Sequence, residues 1–382
     1  MRRSLFGQDH EDFRLLVRDF IAREVAPAYE DWRSAGLVPR ELFTAMGKLG
    51  IIGTAIPEEY GGGGQDDYRF NVVIQEECAR AIVTLGGLRT HLDVVVPYFT
   101  GLANAEQRAR WFPGLATGEL YTAIAMSEPG AGSDLAGVTT RAVRDGDHYV
   151  LNGAKTFITG GHHAELVVVV ARTGTDPDDR RAGLSLLVVE KGMPGFTVGR
   201  KLEKIGLPVQ DTVELSFADV RVPAANLLGE EGAAFSHLGR NLAQERLAIA
   251  VGAVAQTRAA IDLTVSCVRE RVVFGEPLSH FQNTKFELAS MSTESEAAQC
   301  LLDAALTAHV AGELSSVDAA RTKLFCTETQ GRVVDRCLQL HGGYGYILES
   351  PIARLYVDAR VTRIYGGTSE VMKTIISKSL GL

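Results

Sequence analysis

The stretch ELVVVVART, residues 165–173, decides how this chain folds. Four consecutive valines suit a short strand, because β-branched side chains lose freedom in a helix and pack well on a pleated surface. Two runs of similar texture follow, GLSLLVVEK (183–191) and TVELSFADVRV (212–222), separated by Gly, Pro and Asp clusters. Between the first two, TDPDDRRAG (175–183) reads as a solvated, hairpin-like turn. A β-domain is therefore expected over residues 120–229.

The flanks read differently. In residues 1–119, Phe13, Leu16, Val17, Phe20, Ile21 and Val25 form one apolar stripe of a helix that should stop near Pro27. A second helix is expected between Pro39 and Gly50. YGGGGQDD (60–67) reads as a flexible loop, since no Lys-Ser/Thr follows to make a phosphate loop. Residues 230–382 return to helical periodicity, with long helices over 233–272, 281–313 and 317–340 and a last one starting near Thr368. Helices, then strands, then helices make an α+β multidomain class and depart from the βαβα order of a doubly wound fold.

The chain has 382 residues, a formal charge of −8 and 46% apolar residues. That balance argues against a nucleic-acid partner or an anionic membrane, both of which favour a basic face. Nothing reads as a transmembrane span, and the start MRRSLFGQDHEDF lacks the apolar region of a secretory signal. Cys78, Cys267, Cys300, Cys326 and Cys337 have no zinc spacing and suggest buried, reduced thiols in a cytoplasmic protein. His162 and His163, read as neighbours on a strand, would point in different directions, so no metal site is expected.

Four motifs carry chemistry. AMSEPGAGSDLAG (125–137) brings glycine backbone and the short side chains of Ser127, Ser133 and Asp134 close to any ligand. NGAKTFITGG (152–161) places Phe157 and Thr159 on one side of an extended segment, an aromatic face beside a hydroxyl. RERVVFGEPLSHFQ (269–282) and QLHGGYGYILESPIARLYVD (339–358) follow in the helical part. No GxGxxG after a strand and no GxxxxGK[ST] occurs, so Rossmann and P-loop binding are not supported.

With these motifs in this order, the chain resembles the acyl-CoA dehydrogenases over essentially its whole length, and the long-chain pattern most of all. The resemblance implies an N-terminal helical domain, a middle antiparallel β-barrel and a C-terminal four-helix bundle. It implies FAD as cofactor, a homotetramer, and an acyl-CoA substrate oxidised to the α,β-unsaturated thioester in fatty acid β-oxidation. Electron-transfer flavoprotein would take the electrons. Carried onto this sequence, Ser127, Gly132, Ser133, Phe157 and Thr159 would line the flavin and its pyrophosphate, with Ser133 also near substrate. Arg271, Phe274 and Gln282 would reach the adenine end from a neighbouring subunit, and Gln339, Gly342, Gly343, Thr368 and Glu370 would complete the site. Val273 departs from the small hydroxyl residue often found at its place.

One departure bears on catalysis. In many relatives the residue before the Gly-Thr of the tail motif RIYGGTSEVMK (363–373) is the catalytic glutamate; here it is Gly366. In NLAQERLAIAVGAVAQ (241–256), Glu245 shares a helical face with Leu238, Leu242, Ala248, Ile249 and Gly252, and no charge follows from Leu247 through Thr257. Glu245 is thus the expected base, as in the long-chain and isovaleryl branches. Gly366 keeps a backbone role toward the thioester carbonyl, while Arg246 and Gly367 border the substrate. A flavin monooxygenase or oxidase on the same fold, and a flavin-binding relative without catalysis, remain the alternatives.

Overall fold

The computed structural model describes residues 3–176 and 178–382; Met1, Arg2 and Pro177, the last within the expected 175–183 turn, lie outside the described residues. Helix α1 (Gln8–Phe20) buries Val17 and Phe20 and passes into a π-helical turn, Ile21–Val25, then a 3-10 turn, Ala26–Ala28. The expected stop at Pro27 is therefore stepwise: proline lacks the N–H and crowds the preceding residue, so the α ladder loosens before it ends. Helices α2 (Tyr29–Ala35), α3 (Glu41–Lys48) and α4 (Arg69–Arg80) follow. A second π-helical turn, Thr90–Val95, leads into α5 (Val96–Leu102), and α6 (Ala105–Thr117) opens on an Asn104–Gln107 capping box. In the glycine loop 60–67 the N–H groups of Gly63, Gly64 and Gln65 bond back to Gly53, Ile56 and Thr54 carbonyls. A Cβ on Gly62 would lie 2.1 Å from the Ile56 carbonyl oxygen, so the glycines serve close packing.

Seven strands make the middle sheet: β1 (Thr122–Ala125), β2 (Arg141–Asp145), β3 (His148–Thr159), β4 (Leu166–Arg172), β5 (Leu184–Glu190), β6 (Phe196–Lys201) and β7 (Thr212–Pro223). Their order is β1-β4-β2-β3-β7-β6, with β5 on β4. This corrects the expected closed antiparallel barrel. β4 runs parallel to β1 and meets β2 in parallel at one residue pair, and among the described residues no ladder joins β6 to β1. The sheet is curled and mixed. Two register shifts between β3 and β7 bend it, and β6, mostly exposed, ends it as an edge. Four of the valines that opened the sequence reading, Val167–Val170, are 0% exposed at its centre.

Helix α7 (Ala234–Glu270) crosses the molecule, and a hairpin of β8 (Val272–Val273) and β9 (Glu276–Pro277) joins it to α8 (Gln282–Val310). Helices α9 (Ser316–His341), α10 (Pro351–Ala359) and α11 (Ser369–Ser379) complete the chain. α7, α8 and α9 pack on one another and α11 lies against α9. By length and composition alone α7 could cross a membrane. Its apolar window is 56% buried, however, against α4, α8 and α9. His162 and His163 lie in a turn rather than on a strand; His163 Nε2 pairs with the Val38 carbonyl at 2.9 Å. Among the described residues no three His, Cys, Asp or Glu side chains come together as a metal group.

Candidate active site

The two halves of the tail-motif question meet in space. Gly366 and Gly367 take φ of 63° and 92°, left-handed backbone that glycine adopts without strain. A Cβ on Gly366 would sit 2.4 Å from Ile249 Cδ1, 3.5 Å from Glu245 Oε1 and 3.6 Å from Lys323 Cε. The room a side chain at 366 would need is thus filled by α7, and the carboxylate of Glu245 reaches the same point from the other element. Glu245 Oε2 is shielded from solvent and has no hydrogen-bond partner among the described residues. Burial pushes its carboxyl above the usual range, against the opposing pull of Arg89, Arg246 and Lys323.

Three cations therefore ring one acid. Arg246 is 6% exposed, its Nε without a partner, and burial lowers its pKa. Lys323 is 1% exposed and donates from Nζ to the Gly367 carbonyl at 2.7 Å. Burial, with Arg246 nearby, brings this lysine down to about 8. Arg89 stacks its guanidinium 4.9 Å from the Tyr365 ring centre. Beside this cluster opens a pocket walled by α4, the Thr90–Val95 turn, α7 and Tyr365. The segment 88–99 contributes Leu88, Arg89, Leu92 and Asp93 to its wall.

A second group forms where β1 and β3 end. Thr156 N–H bonds the Ser127 carbonyl at 3.0 Å, which holds the glycine loop beside Phe157 and Thr159. Phe157 sits at a bulge with φ 60° and is 69% exposed, so its ring stands proud of the strand. The bulge breaks the simple alternation read from the sequence, because Lys155 and Thr156 are both buried. Gly132 and Ser133 lie exposed on the loop. Holding it from beneath is a buried ion pair the sequence reading missed: Lys155 Nζ to Glu128 Oε1 at 2.9 Å. Glu128 also accepts from the N–H and hydroxyl of Thr139 and the N–H of Thr140. Burial raises its pKa, but these bonds outweigh it and hold the carboxyl down at about 2.

A third group lies around the β8–β9 turn. Arg271 donates to the His341 carbonyl at 2.5 Å and lies against Gly342, whose Cβ would fall 2.9 Å from its Nη1. Phe274 (φ 53°) is 98% exposed at the hairpin tip, and Gln282, Gln339 and Gly343 are exposed as well. Thr368 caps α11 by accepting from Val371 N–H, and Glu370 is exposed in its first turn. Among the described residues no hydrogen bond or ion pair joins this group to the Ser127–Phe157–Thr159 group. Two outward aromatic rings, hydroxyls, a guanidinium and open glycine backbone suit a flat ring system joined to a nucleotide by phosphates; that donor set fits FAD.

Comparison with known proteins agrees with the three-part architecture. The acyl-CoA dehydrogenase N-terminal, middle and C-terminal domain models match residues 7–119, 123–220 and 235–381. The mitochondrial long-chain specific acyl-CoA dehydrogenase of Sus scrofa is 44% identical over 99% of this chain and 88% of that protein. Acryloyl-CoA reductase (NADH) of Anaerotignum propionicum is 36% identical over 100% of this chain and 97% of that protein. The crystal structure of an acyl-CoA dehydrogenase from Geobacillus kaustophilus superposes with a TM-score of 0.97 at 45% identity, covering 100% of both chains. The chain therefore belongs to the acyl-CoA dehydrogenase family of FAD-dependent oxidoreductases.

Proposed function

We propose that this protein oxidises an acyl-CoA thioester to its trans-α,β-enoyl-CoA, with Glu245 as the base that removes the α-proton. The observation that carries this reading is the unpartnered, shielded Oε2 of Glu245, whose carboxylate reaches the point where Gly366 carries no side chain. A carboxylate raised above its usual range holds a proton better once it has taken it, which suits a base for a weakly acidic C–H. Arg89, Arg246 and Lys323 pull the other way, toward the ionised form that can accept a proton. The α-carbon loses its proton to Glu245, the Gly366 N–H donates to the thioester carbonyl where negative charge grows, and Lys323 steadies that turn through the Gly367 carbonyl. Bound FAD would supply the acceptor for the hydride of the β-carbon, and an electron-transfer flavoprotein would be the onward electron acceptor. Ser127, Ser133, Phe157 and Thr159 would hold its ring end, and Arg271, Phe274, Gln282 and Gln339–Gly343 its nucleotide end.

A homotetramer is the assembly this reading favours, because Phe274, Tyr344 and Tyr346 are 98%, 71% and 90% exposed in the single chain and call for cover. Domain boundaries after residues 119 and 229 are supported by the change from helices to strands and back. A second reading runs the same chemistry backwards, as an enoyl-CoA reductase; the similarity to acryloyl-CoA reductase (NADH) favours it. The test is turnover of the FAD-loaded protein on saturated acyl-CoAs with an artificial acceptor, and on enoyl-CoAs with NADH, reading products by mass. Enoyl-CoA formed from acyl-CoA supports the dehydrogenase; reduction alone selects the second reading; neither product sinks both.

A further inference from the structure

The pocket beside Glu245 is not lined as a plain hydrocarbon chain requires. Alongside Ile74, Leu92 and Ile249 it displays Gln75, Arg89 and Asp93. Asp93 is 2% exposed and accepts from Asn71 Nδ2 and Gln75 Nε2, each at 2.8 Å. That commits the amide nitrogen of Gln75 and leaves its Oε1 shielded from solvent with no hydrogen-bond partner among the described residues. This oxygen lies 3.2 Å from where Gly252 would carry a Cβ, two helical turns beyond Glu245, or roughly 10 Å along α7. Arg89 supplies the complement: its Nη1 is equally shielded and equally without a partner.

An alkyl tail entering here would exclude water from an acceptor and a donor and satisfy neither. A carboxylate tail would face Asp93 and Glu245 for the sake of one guanidinium. A hydroxyl answers both groups, donating to Gln75 Oε1 and accepting from Arg89. We propose that the preferred substrate is an acyl thioester whose chain carries a hydroxyl group beyond the β-carbon, held between Gln75 and Arg89. The proposal rests on the dehydrogenase reading and adds a substrate class to it.

The test compares kcat/KM of the FAD-loaded wild type on hexanoyl-, octanoyl- and decanoyl-CoA with their ω-hydroxy counterparts. For the length that places the hydroxyl at Gln75, a preference of about tenfold or more for the hydroxylated member is expected, chiefly through KM. Gln75→Leu is expected to reverse that ratio, and Gln75→Met gives the same readout should the leucine variant fail to fold. Plain acyl-CoAs turned over equally well or better at every length would overturn the proposal and leave the dehydrogenase standing. A ratio unmoved by the Gln75 substitutions would also overturn it. No turnover of either kind would remove the dehydrogenase reading, and the proposal with it.

Discussion

Gly366→Ala perturbs the point where the two elements of the site meet, and its cost has two parts. At φ 63° an alanine sits in left-handed backbone, worth about 1–2 kcal/mol. Its Cβ would fall 2.4 Å from Ile249 Cδ1, and overpacking of that kind costs about 1–3 kcal/mol. The middles of these ranges sum to about 3.5 kcal/mol, which for a domain the size of the C-terminal one is a Tm lowered by roughly 7–14 °C. A thermal melt followed by circular dichroism reads this directly. Ile249→Val removes the clashing Cδ1, so the double variant should recover the packing part and keep the backbone part, a coupling of about 1 kcal/mol or more. Because relief of the 2.4 Å overlap with Ile249, one turn from Glu245 on α7, would shift the base relative to the 366 turn, kcat should drop by about tenfold to a hundredfold. A Gly366→Ala protein that melts and turns over like wild type would refute the reasoning, as would a double variant that shows no coupling.

Three further outcomes follow from the charges. The ascending limb of kcat/KM against pH should lie above the ordinary carboxylate range, since burial raises Glu245; Lys323→Met removes one opposing cation and should move the limb to higher pH. A limb that stays put would show that Lys323 does not act on the base. Asp93, raised by burial from 3.8 to about 7, binds its proton more tightly folded than unfolded, so its cost grows as pH rises from about 4 to 7. Fully developed above pH 7, that cost is roughly 4 kcal/mol. Asp93→Asn should therefore gain stability over wild type at pH 8 and little at pH 4; equal gains at both would contradict this. Glu128→Gln strands the buried Lys155 ammonium and should destabilise by about 3 kcal/mol, with FAD lost more readily on dialysis. Retention of FAD and Tm at wild-type levels would mean the pair does not hold the loop.

The sequence made the strands legible because runs such as Val167–Val170 have one plausible fate, the centre of a sheet. It made Glu245 legible because a lone acid preceding a long uncharged helical stretch stands out. Curling without closure was not legible: closure depends on ladders between distant strands, and the parallel approach of β1 to β4 leaves no local mark. Neither π-helical turn was visible, as a single extra residue per turn hardly disturbs apolar periodicity. Lys323 had a signal that went unread, since Ala319, Ala320 and Cys326 put it on the buried face of α9. Asp93 and the Glu128–Lys155 pair carry no local mark in the sequence, and only their partners from other segments reveal them.

The central claim is that Glu245 takes the α-proton, and one titration tests it. Wild type and Glu245→Gln, both loaded with FAD, are titrated anaerobically with acyl-CoAs that include ω-hydroxylated chains while the visible flavin band is followed. The account predicts bleaching in wild type and none in Glu245→Gln, with FAD still bound to the variant. Bleaching of the variant as fast as wild type would contradict the assignment of the base.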